Sequence, residues 1–216
     1  MSRRNANGPV VSRETRDRLS IFADELTRWQ RALNLVSPAS LPDLWTRHID
    51  DSLQLADIAP DARTWVDLGS GGGLPGLIVA AADPTRRVVL VESDSRKCAF
   101  LRSTARRMDL SVTVIEARIE TALTDAAIEA EVVSARALAP LARLIAYAQP
   151  LLLNGAIGLF PKGRNVSREL TEAQECWNFE AELLASRTEP DGRIVRIQNF
   201  AGPALTGGRH RDDIAP

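Results

Sequence analysis

Leu19, Phe22, Leu26, Trp29 and Leu33 fall at spacings of three and four residues, which places them on one stripe of a helix. Ser12 stands where such a helix would take its N-cap. A second helix is expected over about 41–58, between Ser37-Pro38 and Ala59-Pro60. The period then changes. Residues 64–68 form a short apolar run ending in a glycine cluster, followed by an apolar helix-like stretch over 74–82. A second strand is read at 88–91, and a helix over 95–108 with Cys98, Leu101, Ala105 and Met108 on one face. Residues 111–115, 131–134 and 156–160 read as three more strands, with a helix over about 140–148 before the last. Strands alternating with helices predict an α/β fold with a doubly wound, mostly parallel sheet. Pro190-Asp191-Gly192 separates strand-like runs at 182–188 and 193–200. This hairpin signal puts an antiparallel strand at one edge of the sheet. The expected organisation is a flexible tail over 1–11, a helical cap over 12–60, a sheet domain over 61–205 forming one unit with the cap, and a tail over 206–216.

Composition narrows the class. The 216 residues are 44% hydrophobic and 25% charged, which suits one globular domain and excludes a disordered or low-complexity chain. No apolar run approaches the roughly 20 residues that cross a bilayer. The first ten residues hold no apolar h-region, so no secretory leader is read. Cys98 and Cys176 show no CxxC spacing, so a reducing, cytoplasmic setting is expected. With only two histidines besides, no metal site is expected. The net charge of −1 carries no global nucleic-acid signature. Charge is unevenly spread, however: 86–118 holds eight basic and four acidic residues, whereas 119–131 holds four acidic and none basic. A surface polarised in this way can attract phosphates locally.

The richest segment runs from Val66 to Gly76, as VDLGSGGGLPG. Gly69, Gly71 and Gly73 leave a strand and open a helix, so the backbone can turn sharply and its amides can face a ligand. Glu92 closes the second strand 19 residues after Gly73, where an acid can accept both hydroxyls of a ribose. The loop alone suits a mere turn equally well; loop and acid together point to a nucleoside-containing cofactor. Asp67 lies two residues before the first glycine, where it suits a cationic amino-acid tail and would repel a pyrophosphate. This favours S-adenosylmethionine over NAD, and the segment resembles motif I of the class I methyltransferases. No GK[ST] follows, so it is not a P-loop.

Further stretches extend that resemblance. Asn34-Leu35-Val36-Ser37, Arg47-His48-Ile49-Asp50-Asp51-Ser52, the glycine segment, Val132–Ala137 (VVSARA) and Pro161-Lys162-Gly163 occur together and in order. Over about residues 15–200 the chain resembles the 16S ribosomal RNA guanine-N7 methyltransferases (RsmG, also called glucose-inhibited division protein B). The resemblance implies a Rossmann-like methyltransferase fold, S-adenosylmethionine as cofactor, and 16S ribosomal RNA or the small ribosomal subunit as partner. It maps cofactor contacts onto Gly69, Leu74, Ile119, Glu120 and Arg136.

The residue chemistry is compatible. No N/D-P-P-Y/F element follows the fourth strand, as exocyclic amine methylation would favour. Cys98 lies on an apolar helix face and reads as core rather than as the nucleophile of pyrimidine C5 methylation. Guanine N7 carries no proton, so its methylation needs alignment and no general base. Arg136, after the fourth strand, and Lys162, after the fifth, are the expected positioning residues, Lys162 as a donor to guanine O6 or a phosphate contact. Arg47 and His48 are expected to touch RNA or to brace the cofactor site. Arg102 and Arg106, four apart on one helix, are candidate RNA contacts on what is otherwise a solvated face. A monomer is expected. The rival readings are a small-molecule methyltransferase, a non-catalytic RNA-binding module, and, on fold alone, a nicotinamide oxidoreductase.

Overall fold

Ser12 caps the first helix: its Oγ accepts a hydrogen bond from the Thr15 amide at 3.1 Å. That helix, α1, spans Arg13–Leu33 and buries Leu19, Phe22 and Leu26. It stops at Asn34, whose φ of 49° is left-handed. The computed structural model describes residues 11–125 and 128–204; the tails expected at either end fall, Val11 apart, outside the described residues.

The second helix is not continuous as expected. Pro38–Asp43 is a 3₁₀ segment, Trp45–Asp50 is π-helical, and only Asp51–Ile58 (α2) is α-helical. Pro42 supplies no amide and crowds the preceding turn, which breaks the α-helical ladder there. Between α1 and this segment, the Gln30 side-chain amide bonds both the amide and the carbonyl of Val36, at 2.9 and 2.7 Å. A single side chain thereby pins the loop that carries Leu35.

Seven strands form one sheet: β1 (Thr64–Leu68), β2 (Arg87–Glu92), β3 (Val112–Glu116), β4 (Val132–Ser134), β5 (Ile157–Lys162), β6 (Trp177–Ala185) and β7 (Arg193–Pro203). Their order is β3-β2-β1-β4-β5-β7-β6, with the first five parallel. β7 is antiparallel to both β5 and β6. The expected antiparallel hairpin therefore closes one edge of the sheet, with the reversed strand β7 one place in and β6 outermost. Helices α3 (Gly76–Ala82), α4 (Ser95–Arg107), α5 (Ile119–Asp125), α6 (Leu141–Leu153) and α7 (Val166–Cys176) complete the fold. Helices α5 and α7 were not foreseen. In α7 only Val166 and Ala173 are buried, too thin a stripe to mark a helix in the sequence.

Alternation along the strands divides the core. Trp65 and Leu90 face a cluster with α1, α2, α3 and α4, whereas Val66, Leu68 and Val91 face α5, α6 and α7. Both faces are covered, as a parallel sheet requires. The crevice beyond the carboxyl ends of β1, β2 and β4 remains for a ligand.

Candidate active site

The chain leaves β1 in a tight loop. Gly69, Gly71 and Gly73 have φ values of 64°, 49° and 77°, in the region where side chains are strained. Ser70 N donates to Val91 O, Gly73 N to Ser70 O and Ser70 Oγ to Asp67 O, at 2.7–3.0 Å. A Cβ at Gly73 would come within 2.6 Å of Leu77 Cδ1, whereas one at Gly71 would meet only Gly69 O at 3.7 Å. Gly73 is thus needed for packing, and Gly71 for the open space above it.

That space is a cavity of about 350 Å³. Gly69, Gly71, Leu74, Glu92, Ile119 and Glu120 of the expected cofactor residues line it, together with Arg136. Glu92 is almost buried; its Oε2 accepts from Gly71 N at 2.9 Å and its Oε1 from the amides of Ser93 and Asp94. The acid thereby locks the glycine loop to the end of β2 and keeps lone pairs for a further donor.

Asp67 and Gly73 do not line this cavity. Asp67 is fully buried beneath the loop, where Oδ2 accepts from Gly76 N at 3.2 Å and Oδ1 from Ser134 Oγ at 2.8 Å. Ser134 Oγ in turn accepts from Trp65 Nε1 at 2.9 Å. Burial pushes the Asp67 carboxyl up to about 6, against the pull of these hydrogen bonds and of Arg136. Its carboxylate is directed inward, against Gly76, and braces the loop from below.

A larger open cleft of about 860 Å³ adjoins the first, and Leu35, Arg136 and Ala137 belong to both walls. Ala137 has a φ of 52°, rare for a residue with a side chain, in the turn that presents Arg136 and Leu138. Arg136 is largely buried. Its Nη2 lies 2.9 Å from His48 Nδ1, and its Nη1 lies 3.3 Å from Arg47 O and 3.6 Å from Asp51 Oδ2. His48 Nε2 meets Ser40 Oγ at 2.7 Å, and Ser40 donates on to Ser37 O at 2.7 Å. Burial, then Arg136 and Arg47, hold the His48 imidazole down at about 4, so it is neutral at pH 7.

Arg47 and Lys162 line the cleft, but each has a partner. Arg47 pairs with Glu189 at 3.0 Å. Lys162 Nζ donates to Ala139 O and to Glu169 Oε2, both at 2.7 Å, and so ties α7 to the start of α6. Its expected role as a free donor to a base is met by a lysine already engaged. Arg102 and Arg106 line neither cavity. Arg102 pairs with Glu116 at 2.9 Å and Arg106 is exposed on α4, because their helix face points away from the crevice. Arg164, which sequence reading passed over, lines the cleft with no hydrogen bond or ion pair among the described residues. Asp51 is more central than its place in RHIDDS suggested. Its Oδ1 accepts from Gln54 Nε2 and Thr188 Oγ1, both at 2.7 Å, so it joins Arg136 to the β6–β7 turn. Leu138 and Tyr147 were also missed as walls of the smaller cavity. Only proximity in the fold could have found them. Among the described residues no helix is long and apolar enough to cross a membrane, and no three acidic, cysteine or histidine residues group to hold a metal ion.

The family model of the rRNA small subunit methyltransferase G (GidB) matches residues 15–190. The chain belongs to this family. The Ribosomal RNA small subunit methyltransferase G of Methylobacterium radiotolerans is 53% identical over 196 residues, covering 90% of this chain and 92% of the relative. That of Gluconobacter oxydans is 50% identical over 191 residues, covering 88% and 97% respectively. Among solved structures, the O-methyltransferase from Bacillus cereus in complex with SAH superposes with a TM-score of 0.59 at 18% identity, covering 82% of this chain and 90% of that one. A methyltransferase from Geobacter sulfurreducens gives 0.57 at 14% identity, covering 88% and 98%. These likenesses show the fold, a Rossmann-like class I methyltransferase.

Proposed function

We propose that this member of the family methylates N7 of a guanine in small-subunit ribosomal RNA, with S-adenosylmethionine as donor. The observation that carries the reading is the pair of adjoining cavities that share Arg136. The smaller fits the cofactor: Gly71 leaves the loop open where a Cβ would intrude, and Glu92 presents its carboxylate at the end of β2. The backbone of Gly69–Gly72 would hold the amino-acid portion, Glu92 the ribose hydroxyls, and Ile119, Leu138 and Tyr147 the adenine. When bound, S-adenosylmethionine supplies a methyl group made electrophilic by its sulfonium.

The chain's own part is orientation. Arg136 faces both compartments and would direct the base, while Lys162 keeps the loop between β4 and α6 in place. No side chain of the shared wall is placed to take a proton: the His48 Nδ1 lone pair accepts from Arg136, and Asp51 is engaged by Arg136, Gln54 and Thr188. A nucleophile without a proton suits such a wall. The wide cleft with a charged rim also favours a macromolecular substrate over the closed apolar pocket a small molecule would need.

The test is incubation of unmethylated small ribosomal subunits with the protein and labelled S-adenosylmethionine, followed by nucleoside mass analysis of the RNA. Labelled 7-methylguanosine is expected. Label in another methylated nucleoside would overturn the reading.

A further inference from the structure

We propose that His48 is a positioning residue for methyl transfer: held as one neutral tautomer by Ser40, it aims the Arg136 guanidinium at the junction of the two cavities. The inference rests on the assignment of those cavities to cofactor and guanine. Of the two roles expected for His48, contact with RNA or bracing of the cofactor site, it takes the second in a specific form, an action through Arg136.

The hydrogen-bond directions follow from the groups themselves. An arginine can only donate, so the 2.9 Å contact from Arg136 Nη2 requires a lone pair on His48 Nδ1. The ring proton then sits on Nε2 and is donated to Ser40 Oγ, at 2.7 Å. Ser40 passes its own proton to Ser37 O, at 2.7 Å. Every donor in the chain from Arg136 to Ser37 has one acceptor, and none can be reversed without placing two donors face to face.

The charged neighbours act in the same sense. Arg136 and Arg47 both face the imidazole and oppose its protonation; Asp51 pairs with Arg136, and Glu189 with Arg47, so neither carboxylate is free to stabilise an imidazolium. The neutral ring is therefore an acceptor that fixes the guanidinium without neutralising it. Arg136 Nε makes no hydrogen bond among the described residues, which leaves a donor for a base. The work is alignment, since transfer produces a cationic purine and Asp51 offsets the arginine charge. The π-helical turn at Trp45–Asp50 carries His48, and Ser52 Oγ bonds the His48 carbonyl at 2.7 Å, so the ring's anchorage is local and rigid.

Two substitutions separate the ring's two hydrogen bonds. In His48→Asn the side-chain oxygen reaches the place of Nδ1 and can still accept from Arg136. In His48→Gln the amide reaches the place of Nε2, toward Ser40, and the acceptor for Arg136 is gone. Single-turnover methylation of small subunits should slow at least about tenfold in His48→Gln, the worth of a charge-assisted hydrogen bond. His48→Asn should recover most of that loss, and His48→Gln should cost nothing further in an Arg136→Ala background. Equal loss in the Asn and Gln variants, or a loss that multiplies with Arg136→Ala, would overturn the proposal and mark His48 as a structural or RNA-contacting residue. Nitrogen NMR of the imidazole in the unmodified protein provides a test independent of variant folding. A proton on Nε2 and none on Nδ1 is expected, and a protonated Nδ1 would overturn the assignment. Failure of the unmodified protein to form 7-methylguanosine would instead count against the function, and leave the tautomer result standing.

Discussion

Gly71 and Gly73 stand two residues apart in one loop, with the same sign of φ, and fail differently when replaced. A valine at Gly71 should cost about 1–3 kcal/mol of stability through its backbone conformation and leave a folded protein. Calorimetry of Gly71→Val with S-adenosylmethionine should show no binding, because the side chain fills the cavity above the loop; normal affinity would remove the loop from the cofactor site. Cys98 is buried, donates from Sγ to Glu92 O at 3.3 Å, and has its thiol pKa raised by burial. Cys98→Ser and Cys176→Ser should both methylate, and abolition of activity in a folded variant would point to covalent attack on a pyrimidine instead. Two titrating groups, the half-buried His48 and the fully buried Asp67, oppose each other in acid. His48, lowered from 6.5 to about 4, binds its proton more readily when unfolded, so its contribution to stability is whole above pH 6.5 and is lost as pH falls toward 4. Asp67, raised from 3.8 to about 6, contributes fully below pH 3.8 and loses that contribution as pH rises through 6. His48→Asn abolishes only the first, so between about pH 7 and about pH 5 its Tm should fall less than that of the unmodified protein. Parallel Tm curves for the two proteins would show that His48 does not titrate as its surroundings dictate.

At the level of elements, what could be read from the sequence was what is local. The stripe of α1, its Ser12 cap, the glycine loop after β1 and Glu92 at the end of β2 depend on neighbours within a turn or on one strand-helix-strand unit. The breaks within 38–58 were less visible, because the apolar spacing continues through Pro42 although the α-helical hydrogen bonds cannot. Asp67 was read as facing a ligand because its chain position allowed it; whether a carboxylate points up or down depends on Ser134 and Gly76. The role of Asp51 was beyond reach for the same reason, since Thr188, Arg136 and Asp51 come from three distant parts of the chain. Gln54 makes the same kind of join. Almost wholly buried, it accepts from the Arg187 amide at 2.9 Å and donates to Asp51, so α2 holds the turn after β6. Gln54→Ala should leave that amide unsatisfied, at a cost of about 1–3 kcal/mol. Hydrogen exchange at Arg187 should accelerate and KM for small subunits should rise, with S-adenosylmethionine affinity unchanged; a weakened cofactor with an unaltered KM would show that the turn serves the other cavity.

The whole molecule is nearly neutral, so attraction to a polyanion has to come from the arrangement of its charges. Most cations of the cleft are already paired inside the protein: Arg47 with Glu189, Arg136 with Asp51 and Lys162 with Glu169. Among the described residues, Arg164 and Arg193 of that cleft pair with no carboxylate; Arg193 donates to the carbonyls of Pro190 and Gly192, whereas Arg164 makes no hydrogen bond. Arg164→Ala should weaken small-subunit binding at every salt concentration and reduce the slope of log K against log salt by about one. An unchanged slope would mean that this arginine meets no phosphate.

The insertion of β7 between β5 and β6 also has a consequence for how the chain is made. A ribosome delivers β5 first, then β6, then β7, yet β6 can join the sheet only through β7. Until β7 emerges, the β5 edge carrying Leu159 and Phe160 has no partner, and β6 has nothing to pair with. The cleft is equally late, since its lining runs from Asn34 to Ile194, whereas the glycine loop and Glu92 are already synthesised and adjacent. A nascent chain therefore passes through a stage in which the smaller cavity can form and the larger cleft cannot. An exposed sheet edge at that stage makes the arrival of β7 the aggregation-sensitive step of biosynthesis and of refolding.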